Sequence, residues 1–290
     1  MKILIIGSNG FIGKYYKNFS KLKNLLTTSS KKNSSNIYFN IMSHDLQKII
    51  DEYNITHVVF FSAISDPLKC ARNKRLSRKF NVTLTKRNLN KLIKNNIYFI
   101  FFSSEYVFNG IRGGYSENSK TGNKLLYGKQ KVIMENYLKK KNYRNFSILR
   151  LGKTFGDNIN DKSIFMNFLK NYLNKKRNFA FAKDQIFSCL YVKDLVKIID
   201  IFIKKKISGI FNVCGNDHYS RADYLIKISK KFNLKNCVIK KKKFDQLSNL
   251  KDIPLNVSMK NDKLKKLIKF KFTDYTKYLE IINRKYGNKF

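Results

Sequence analysis

The chain of 290 residues is long enough for one large or two modest domains, and 43% of its residues are hydrophobic, which is ample for a packed core. Its net charge of +41 would suggest an anionic partner, yet only 10 of the 60 basic residues are arginines, the side chain that nucleic-acid sites usually employ. Composition therefore argues against a disordered chain and favours a solvated, lysine-rich surface with no nucleic-acid partner.

Short apolar runs alternate with longer amphipathic stretches through the first half of the chain, which is typical of an α/β fold with a doubly wound parallel sheet. The predicted strands are Lys2 to Ile6, Leu25 to Thr28, Ile37 to Phe39, His57 to Phe61, Ile97 to Phe102 and Phe146 to Leu151. The predicted helices are Phe11 to Phe19, Asp45 to Tyr53, Lys74 to Lys94 and Leu126 to Lys140. The fifth strand is apolar on both faces, as expected of a central strand covered by helices.

After about Leu151 the alternation loosens. We predict helices there at Lys162 to Lys175, Lys193 to Lys205, Ser220 to Phe232 and Thr273 to Arg284, and strands at Phe179 to Ala182 and Ile210 to Val213. The chain has only two prolines and no Gly/Ser-rich linker, so the second half is expected to pack directly on the first.

A glycine-rich loop, Gly7-Ser-Asn-Gly10-Phe-Ile-Gly13, follows the first strand and opens the first helix, which is the context of a dinucleotide-binding fingerprint. Gly7 would make the tight turn, Gly10 would let the backbone approach a pyrophosphate, and Gly13 would permit close packing of helix on strand. The residues expected to contact the cofactor here are Gly7, Asn9, Gly10, Phe11, Ile12 and Gly13.

The end of the second strand usually carries an acid for the ribose hydroxyls, but no Asp or Glu occurs between Gly13 and Asp45. The strand instead runs into hydroxyls and the ammonium groups of Lys31 and Lys32, which suit a 2′-phosphate. NADP(H) is therefore favoured over NAD(H), with Lys31 as a predicted contact. The alternative is that both lysines belong to the general lysine background.

The candidate catalytic residues are Ser104, Tyr127 and Lys131. Tyr127 and Lys131 lie four residues apart on one helix face, and Ser104 follows the apolar fifth strand, at the sheet edge where ligands bind. Lys131 and an oxidised nicotinamide would lower the pKa of the phenol, so that Tyr127 can exchange a proton with a substrate oxygen held by Ser104. A structural helix with incidental Tyr and Lys is the alternative, because Y-x-x-x-K alone is a weak pattern.

Several segments together resemble the extended short-chain dehydrogenases/reductases, and specifically the dTDP-4-dehydrorhamnose reductases. They are Phe102-Ser-Ser-Glu-Tyr-Val-Phe-Asn-Gly110, Tyr115-Ser-Glu117, Tyr127-Gly-Lys-Gln-Lys131, Phe61-Ser-Ala-Ile-Ser-Asp66, Asn81-Val-Thr-Leu-Thr and Tyr191-Val-Lys-Asp-Leu195. The resemblance spans nearly the whole chain and implies NAD(P)-dependent reduction of a keto group on a nucleotide-linked sugar. It also implies that Ala63 and Asn81 line the cofactor.

The fold implied is α/β, a Rossmann-type doubly wound parallel sheet with a smaller C-terminal substrate-binding lobe. We assign residues 1–151 to the dinucleotide-binding domain, with the catalytic Ser, Tyr and Lys, and residues 152–290 to the lobe, interleaved with the first. Relatives of this family also lead us to expect a homodimer. The predicted helices Lys74 to Lys94 and Leu126 to Lys140 would form the interface, since they carry more apolar residues than one sheet face needs.

Four positions depart from the family pattern in segments that shape the sugar-nucleotide pocket, namely Gly122, Phe187, Cys189 and Ile253. Two alternatives therefore stay open. One is an epimerase or dehydratase of the same superfamily acting on another nucleotide sugar. The other is a non-catalytic, cofactor-binding regulatory subunit, although such proteins commonly lose the Tyr or Lys that this chain retains.

Scattered cysteines and histidines, with no C-x-x-C pair, predict neither a metal site nor a disulfide framework. The early apolar run Ile3 to Ile6 is far shorter than a signal h-region or a membrane span. We therefore expect a cytoplasmic protein with no membrane partner.

Overall fold

The computed structural model describes residues 1–32 and 37–290. Strands in these residues are β1 Ile3–Ile6, β2 Leu25–Ser29, β3 Ile37–Tyr38, β4 His57–Phe60, β5 Tyr98–Ser104, β6 Phe146–Leu151, β7 Lys153–Phe155, β8 Asn178–Ala182, β9 Ile186–Tyr191, β10 Gly209–Val213, β11 His218–Ser220 and β12 Val238–Lys242. Helices are α1 Phe11–Phe19, α2 Leu46–Tyr53, α3 Pro67–Arg72, α4 Lys74–Arg78, α5 Thr85–Lys94, α6 Leu126–Lys139, α7 Ile164–Leu173, α8 Val192–Lys205, α9 Arg221–Lys231, α10 Asp262–Ile268 and α11 Tyr275–Tyr286.

Seven strands form one parallel sheet in the spatial order β10-β6-β5-β4-β1-β2-β3. The chain moves outward from β1 through β2 to β3 and then returns to the other side of β1 as β4. This reversal is the topological switch point where open α/β sheets bind ligands beyond the carboxyl ends of their strands. The predicted doubly wound parallel sheet is confirmed.

The interior strand β5 is buried from Tyr98 to Ser103, because helices cover both faces of the sheet. Alternate residues enter different cores: Tyr98, Ile100 and Phe102 join one hydrophobic cluster, whereas Phe99 and Phe101 join the other. The two-residue period of the strand thus divides its apolar side chains between two helix layers, which fixes the register of the sheet.

The second half of the chain contributes one strand to the main sheet, because β10 pairs in parallel with β6. Its remaining strands form a smaller layer, with β9 between β11 and β7, and a separate parallel pair of β8 with β12. The two halves are therefore interleaved in the sheet. The boundary at residue 151 stays a prediction.

The predicted helix Lys74 to Lys94 is in fact three segments, since a π-helical turn, Lys79–Leu84, separates α4 from α5. Sequence analysis also missed α3, which begins at Pro67 after the Asp66 carboxylate accepts hydrogen bonds from the backbone N–H groups of Leu68 and Lys69. This cap and the proline at the first helical position explain why so short a helix starts there.

The helices expected to form a dimer interface use most of their apolar side chains on their own sheet. Leu84, Leu89, Leu92 and Leu138 are buried in one core cluster, and Ile93, Ile133 and Tyr137 pack partly buried against it. Few apolar residues on these helices are therefore left for contact with a second copy, and the oligomeric state stays a prediction.

No helix formed by residues 1–32 and 37–290 has both the length and the apolar character needed to cross a membrane.

Candidate active site

Ser104, Tyr127 and Lys131 line one cavity of about 770 Å³ beyond the carboxyl edge of the sheet. Ser104 is the last residue of β5, and Tyr127 and Lys131 stand one turn apart at the start of α6. The same cavity is lined by Gly7, Gly10, Phe11, Ile12, Gly13 and Ala63. Most of the predicted site, drawn from positions 7 to 131, is thus brought together in one space. The roles assigned to these residues stay predictions.

The start of α6 is held in place by backbone contacts to the loop that follows β5. Asn123 donates hydrogen bonds from Nδ2 to the carbonyl oxygens of Tyr106 and Phe108, both at 2.8 Å, and accepts one from the Leu125 backbone. Gly128 allows the helix to touch this loop, since a Cβ there would lie 2.2 Å from the Tyr106 carbonyl oxygen. Close packing at Gly128 therefore fixes the position of the Tyr127 phenol.

Lys131 is 5% exposed, and its ammonium donates a 2.7 Å hydrogen bond to the carbonyl oxygen of Phe102. Burial lowers the pKa of Lys131 to about 8, although the nearby Glu135 carboxylate acts in the opposite direction. The ammonium lies 5.7 Å from the centre of the Tyr127 ring. A donor cation is therefore positioned beside the phenol.

Burial raises the pKa of Tyr127 above its ordinary value, and a hydrogen bond with the Ser104 side chain lowers it by less. The raised pKa keeps the phenol protonated at neutral pH. A protonated phenol is the form needed to give a proton to a substrate oxygen during reduction. Ser104 and Tyr127 line the same cavity.

A buried ion pair ties α6 to two strands behind the site. Glu135 accepts hydrogen bonds from Ser103 Oγ at 2.6 Å, from Arg150 Nε at 2.9 Å and from Arg150 Nη2 at 2.7 Å. Both charged side chains are 1% exposed, and the bidentate geometry satisfies the carboxylate. Since Glu135 is one turn from Lys131, this pair holds the face of α6 that carries Lys131 against β5 and β6.

The glycine loop has the geometry that a pyrophosphate requires. Gly7 has a φ of 91°, and a Cβ on Gly13 would lie 2.4 Å from the Gly7 carbonyl oxygen, so both positions need glycine. Gly10 is the N-cap of α1, and no side chain caps that helix. The N–H groups of its first turn are therefore available to an anion, and these residues fit a dinucleotide.

A second cavity of about 440 Å³ adjoins the loop on the side of β2 and is lined in part by Asn9, Thr28, Ser29 and Ser30. Asn9 Nδ2 donates to Ser29 Oγ at 3.0 Å. No acid is found among the described residues that line this cavity. Lys31 is exposed and adjoins the lining residues without belonging to them.

Asn81, predicted to contact the cofactor, does not line either cavity. Its Oδ1 accepts from the Ile64 N–H at 2.8 Å, and its Nδ2 donates to the Ile64 carbonyl at 2.9 Å and to Gln130 Oε1 at 2.7 Å. Asn81 thus braces the loop that carries Ala63 against α6. A direct contact with the cofactor stays a prediction.

Sequence analysis did not single out Lys153 and Arg221, which line the larger cavity together with Glu105. Lys153 resembled the general lysine background, and Arg221 opens α9, about 90 residues beyond the Tyr/Lys pair and outside any motif. In the sequence, only the position of each residue in the chain distinguishes it from the other basic residues. Lys153 lies two residues beyond Leu151, which pairs with Ser104 across β5 and β6.

The chain matches a protein-family model described as the RmlD substrate binding domain over residues 1–287. The chain belongs to this family. It is a family of extended short-chain dehydrogenases/reductases that includes the dTDP-4-dehydrorhamnose reductases, so the resemblance stated from the motifs is confirmed. Its members' oxidoreductase chemistry on sugar nucleotides supports an oxidoreductase at the level of the family.

Solved structures with the same fold include a dTDP-4-dehydrorhamnose reductase and a sugar-nucleotide epimerase. The dTDP-4-dehydrorhamnose reductase of Bacillus anthracis, in complex with NADP, is 19% identical with a TM-score of 0.85, covering 98% of this chain and 100% of that chain. The UDP-glucuronic acid 4-epimerase of Bacillus cereus, in complex with UDP-glucuronic acid and NAD, is 20% identical with a TM-score of 0.79, covering 99% and 100%.

A curated relative of different role is the methionine adenosyltransferase 2 subunit beta of Xenopus tropicalis. It is 23% identical over 245 residues, which cover 80% of this chain and 72% of the relative. The RmlD substrate binding domain scaffold is therefore similar to an enzyme subunit as well as to reductases and epimerases.

Proposed function

We propose that this cytoplasmic protein reduces a keto group on a nucleotide-linked sugar with a nicotinamide cofactor, in the manner of dTDP-4-dehydrorhamnose reductases. The observation that supports this most directly is the convergence of Ser104, Tyr127 and Lys131 on a cavity that also borders the glycine loop. A hydroxyl, a buried phenol and a buried ammonium are the groups that such a reduction requires, and they occupy the edge of the sheet where ligands bind.

In this proposal the cofactor supplies the hydride, and the protein orients the substrate and moves the proton. The Ser104 hydroxyl donates to the carbonyl oxygen and holds it next to Tyr127. The Tyr127 phenol passes its proton to that oxygen, and the Lys131 ammonium stabilises the phenolate that remains. Gly10 and the N–H groups at the start of α1 would hold the pyrophosphate, and Ala63, on the loop braced by Asn81, would line the cofactor.

A panel of keto-sugar nucleotides tests the reaction, with oxidation of NADPH followed by absorbance and the product identified by mass spectrometry. The expected result is reduction of at least one keto-sugar nucleotide, with no activity on the corresponding free keto sugar. Interconversion of two sugar nucleotides with no net cofactor oxidation would favour the epimerase alternative. Binding of cofactor without turnover on any member of the panel would favour the regulatory alternative that the curated relative suggests.

We further propose that NADP(H) binds more tightly than NAD(H). The described lining of the smaller cavity has hydroxyl and amide groups and no carboxylate, so nothing there repels a 2′-phosphate, and Lys31 and Lys32 follow directly. Calorimetric titration should show a preference for NADPH that falls when both lysines are replaced by alanine. The matched control replaces Lys204 and Lys205, an exposed pair at the far end of α8. Equal affinities for the two cofactors in the wild type would contradict this proposal.

A further inference from the structure

One short segment of the chain leads into the wall of the larger cavity. Residues 156–163 connect β7 to α7 and form neither helix nor strand. The residues of this connecting segment and of α7 that line the cavity, here called the α7 wall, are Lys162, Ser163, Ile164, Asn167, Phe168 and Asn171. Ser104 and Tyr127 line the same cavity. The course of the connecting segment therefore determines how far the α7 wall lies from the proposed reaction centre.

A phenol from α1 lies inside the turn of the connecting segment. Tyr15 is 7% exposed, and its oxygen accepts hydrogen bonds from the backbone N–H groups of Asp157 at 3.0 Å and Asn158 at 3.2 Å. Its proton has two acceptors, Asp161 Oδ2 at 2.6 Å and Asp157 Oδ1 at 3.0 Å. A Cβ on Gly156 would lie 2.6 Å from the same phenol oxygen. The connecting segment is therefore folded closely around the Tyr15 hydroxyl.

Further contacts of Asp157 come from the second half of the chain. Its carboxylate accepts hydrogen bonds from Tyr191 Oη at 2.9 Å and from Lys193 Nζ at 2.8 Å. Its carbonyl oxygen accepts hydrogen bonds from Lys285 Nζ and Tyr286 Oη, both at 3.0 Å. These partners belong to β9, α8 and α11. The Tyr15 hydroxyl thus joins α1, a helix of the main sheet, to a network of the smaller lobe.

Helix α1 also carries the groups that would bind the cofactor. Its first residue, Phe11, lines the larger cavity and packs edge-on against the Tyr15 ring, with 5.5 Å between the ring centres. The glycine loop before it is tightly packed, since a Cβ on Gly13 would lie 2.4 Å from the Gly7 carbonyl oxygen and one on Gly7 would lie 3.0 Å from the Ser62 nitrogen. The loop is therefore held by contacts that do not involve the Tyr15 hydroxyl, whereas the connecting segment is held by contacts that do.

We propose that Tyr15 is a positioning residue for the nucleotide-linked sugar, and that it holds the α7 wall at the distance from α1 at which both contact the substrate. This rests on the proposed function, since it concerns the same substrate. Tyr15 lines neither cavity, so it acts through the connecting segment. Hydrogen bonds are directional, and a buried network of them specifies one arrangement more narrowly than apolar packing does. Loss of the hydroxyl therefore weakens substrate binding and leaves cofactor binding intact.

Calorimetric titrations of the full-length protein test this inference. NADPH is titrated into the protein alone, and UDP-glucose and dTDP-glucose are titrated into the protein saturated with NADP. Tyr15→Phe keeps the ring and leaves the Asp157 N–H without its partner. Its affinity for the nucleotide sugar should fall about tenfold, the effect of one or two lost hydrogen bonds, and its affinity for NADPH should stay within about threefold of the wild type. Tyr98→Phe is the matched control. It removes a buried hydroxyl with a 2.6 Å hydrogen bond to the Ile207 carbonyl, and neither residue lines either cavity.

Asp161→Ala tests the same contact from the connecting segment, and it serves as the second variant if Tyr15→Phe fails to fold. It should also weaken nucleotide-sugar binding about tenfold at nearly unchanged NADPH affinity. The double variant should bind the nucleotide sugar no more weakly than the weaker of the two single variants, because both substitutions remove one shared contact. Losses that add in the double variant would show that the two side chains act separately, which overturns the inference.

Equal nucleotide-sugar affinity in the wild type and in Tyr15→Phe overturns this inference alone. Equal losses in Tyr15→Phe and Tyr98→Phe also overturn it, since any buried hydroxyl would then have the same effect. A matching loss of NADPH affinity in Tyr15→Phe would show that the hydroxyl supports the cofactor helix instead, and this too overturns it. Failure of the wild type to bind any nucleotide sugar would overturn the proposed function as well.

Discussion

At the scale of single residues, His57 couples the stability of the protein to pH. It lies at the start of β4, is 5% exposed, and has its Nδ1 2.8 Å from Thr56 Oγ1 and its Nε2 without a partner. Burial lowers the pKa of His57 from 6.5 to about 4, and the charge of Lys206 acts in the same direction. Between these two pH values the unfolded chain binds a proton that the folded protein excludes.

The stability contributed by a neutral His57 is therefore fully present above pH 6.5 and is lost as the pH falls towards 4. The loss reaches roughly 3 kcal/mol, since each unit of pKa shift corresponds to about 1.4 kcal/mol. Urea denaturation between pH 7 and 4.5 should show that the free energy of unfolding falls less steeply with pH in His57→Gln than in the wild type. Identical pH slopes for the two proteins would contradict this assignment.

Single residues also show where sequence analysis succeeds. The meeting of Ser104, Tyr127 and Lys131 in one cavity was predictable, because a strand end and one helix turn bring them together over short sequence distances. Their catalytic roles stay predictions. Asn81 carries the right chemistry in the right segment, but its amide is turned to the Ile64 backbone, which only the packing of the loop reveals. Lys153 and Arg221 were not predictable, because long-range folding alone places them beside Glu105.

At the scale of elements, the start of α6 determines where the phenol stands, which makes Gly128 a test of positioning. The Gly128→Ala variant forces the helix away from the Tyr106 carbonyl, because its Cβ would lie 2.2 Å from that oxygen. Turnover should fall by about 10²-fold, the usual cost of displacing a catalytic group by about 1 Å, and the melting temperature should fall too. Gly122→Ala is the matched control, since a Cβ there meets nothing within 4 Å. Equal turnover in the two variants would show that the helix start tolerates displacement.

Element prediction was most accurate in the first half of the chain, where short apolar runs alternate with amphipathic stretches. Helix α1 and strand β6 have the predicted ends, and the order of the first six strands is as expected of a doubly wound sheet. The π-helical turn Lys79–Leu84 was missed because its apolar residues still follow a helical stripe across the predicted helix. Strands such as β7 and β11, three residues long, are too short to show any period.

At the scale of the whole molecule, the charge of +41 opposes self-association, so the expected homodimer should depend on salt. Sedimentation equilibrium with cofactor bound should show a dimer that strengthens between physiological and high ionic strength, because screening weakens the repulsion between like-charged copies. On helices α5 and α6, apolar residues such as Ile93 and Ile133 are partly buried against the protein's own core, so only part of their surface can contact a second copy. A monomer that persists at high salt would contradict the dimer.

Tyr127 is expected to give a proton to the oxygen of a nucleotide-linked sugar while a nicotinamide cofactor reduces the sugar. The most direct measurement compares NADPH oxidation and NADPH affinity in the wild type, in Tyr127→Phe and in Tyr143→Phe. The last is a matched control whose hydroxyl donates to the Ile97 carbonyl, outside the cavity. We predict that Tyr127→Phe loses about 10²- to 10⁴-fold in turnover at nearly unchanged NADPH affinity, and that Tyr143→Phe retains wild-type turnover. Near-wild-type turnover in Tyr127→Phe on an identified substrate would contradict the role of Tyr127 as proton donor.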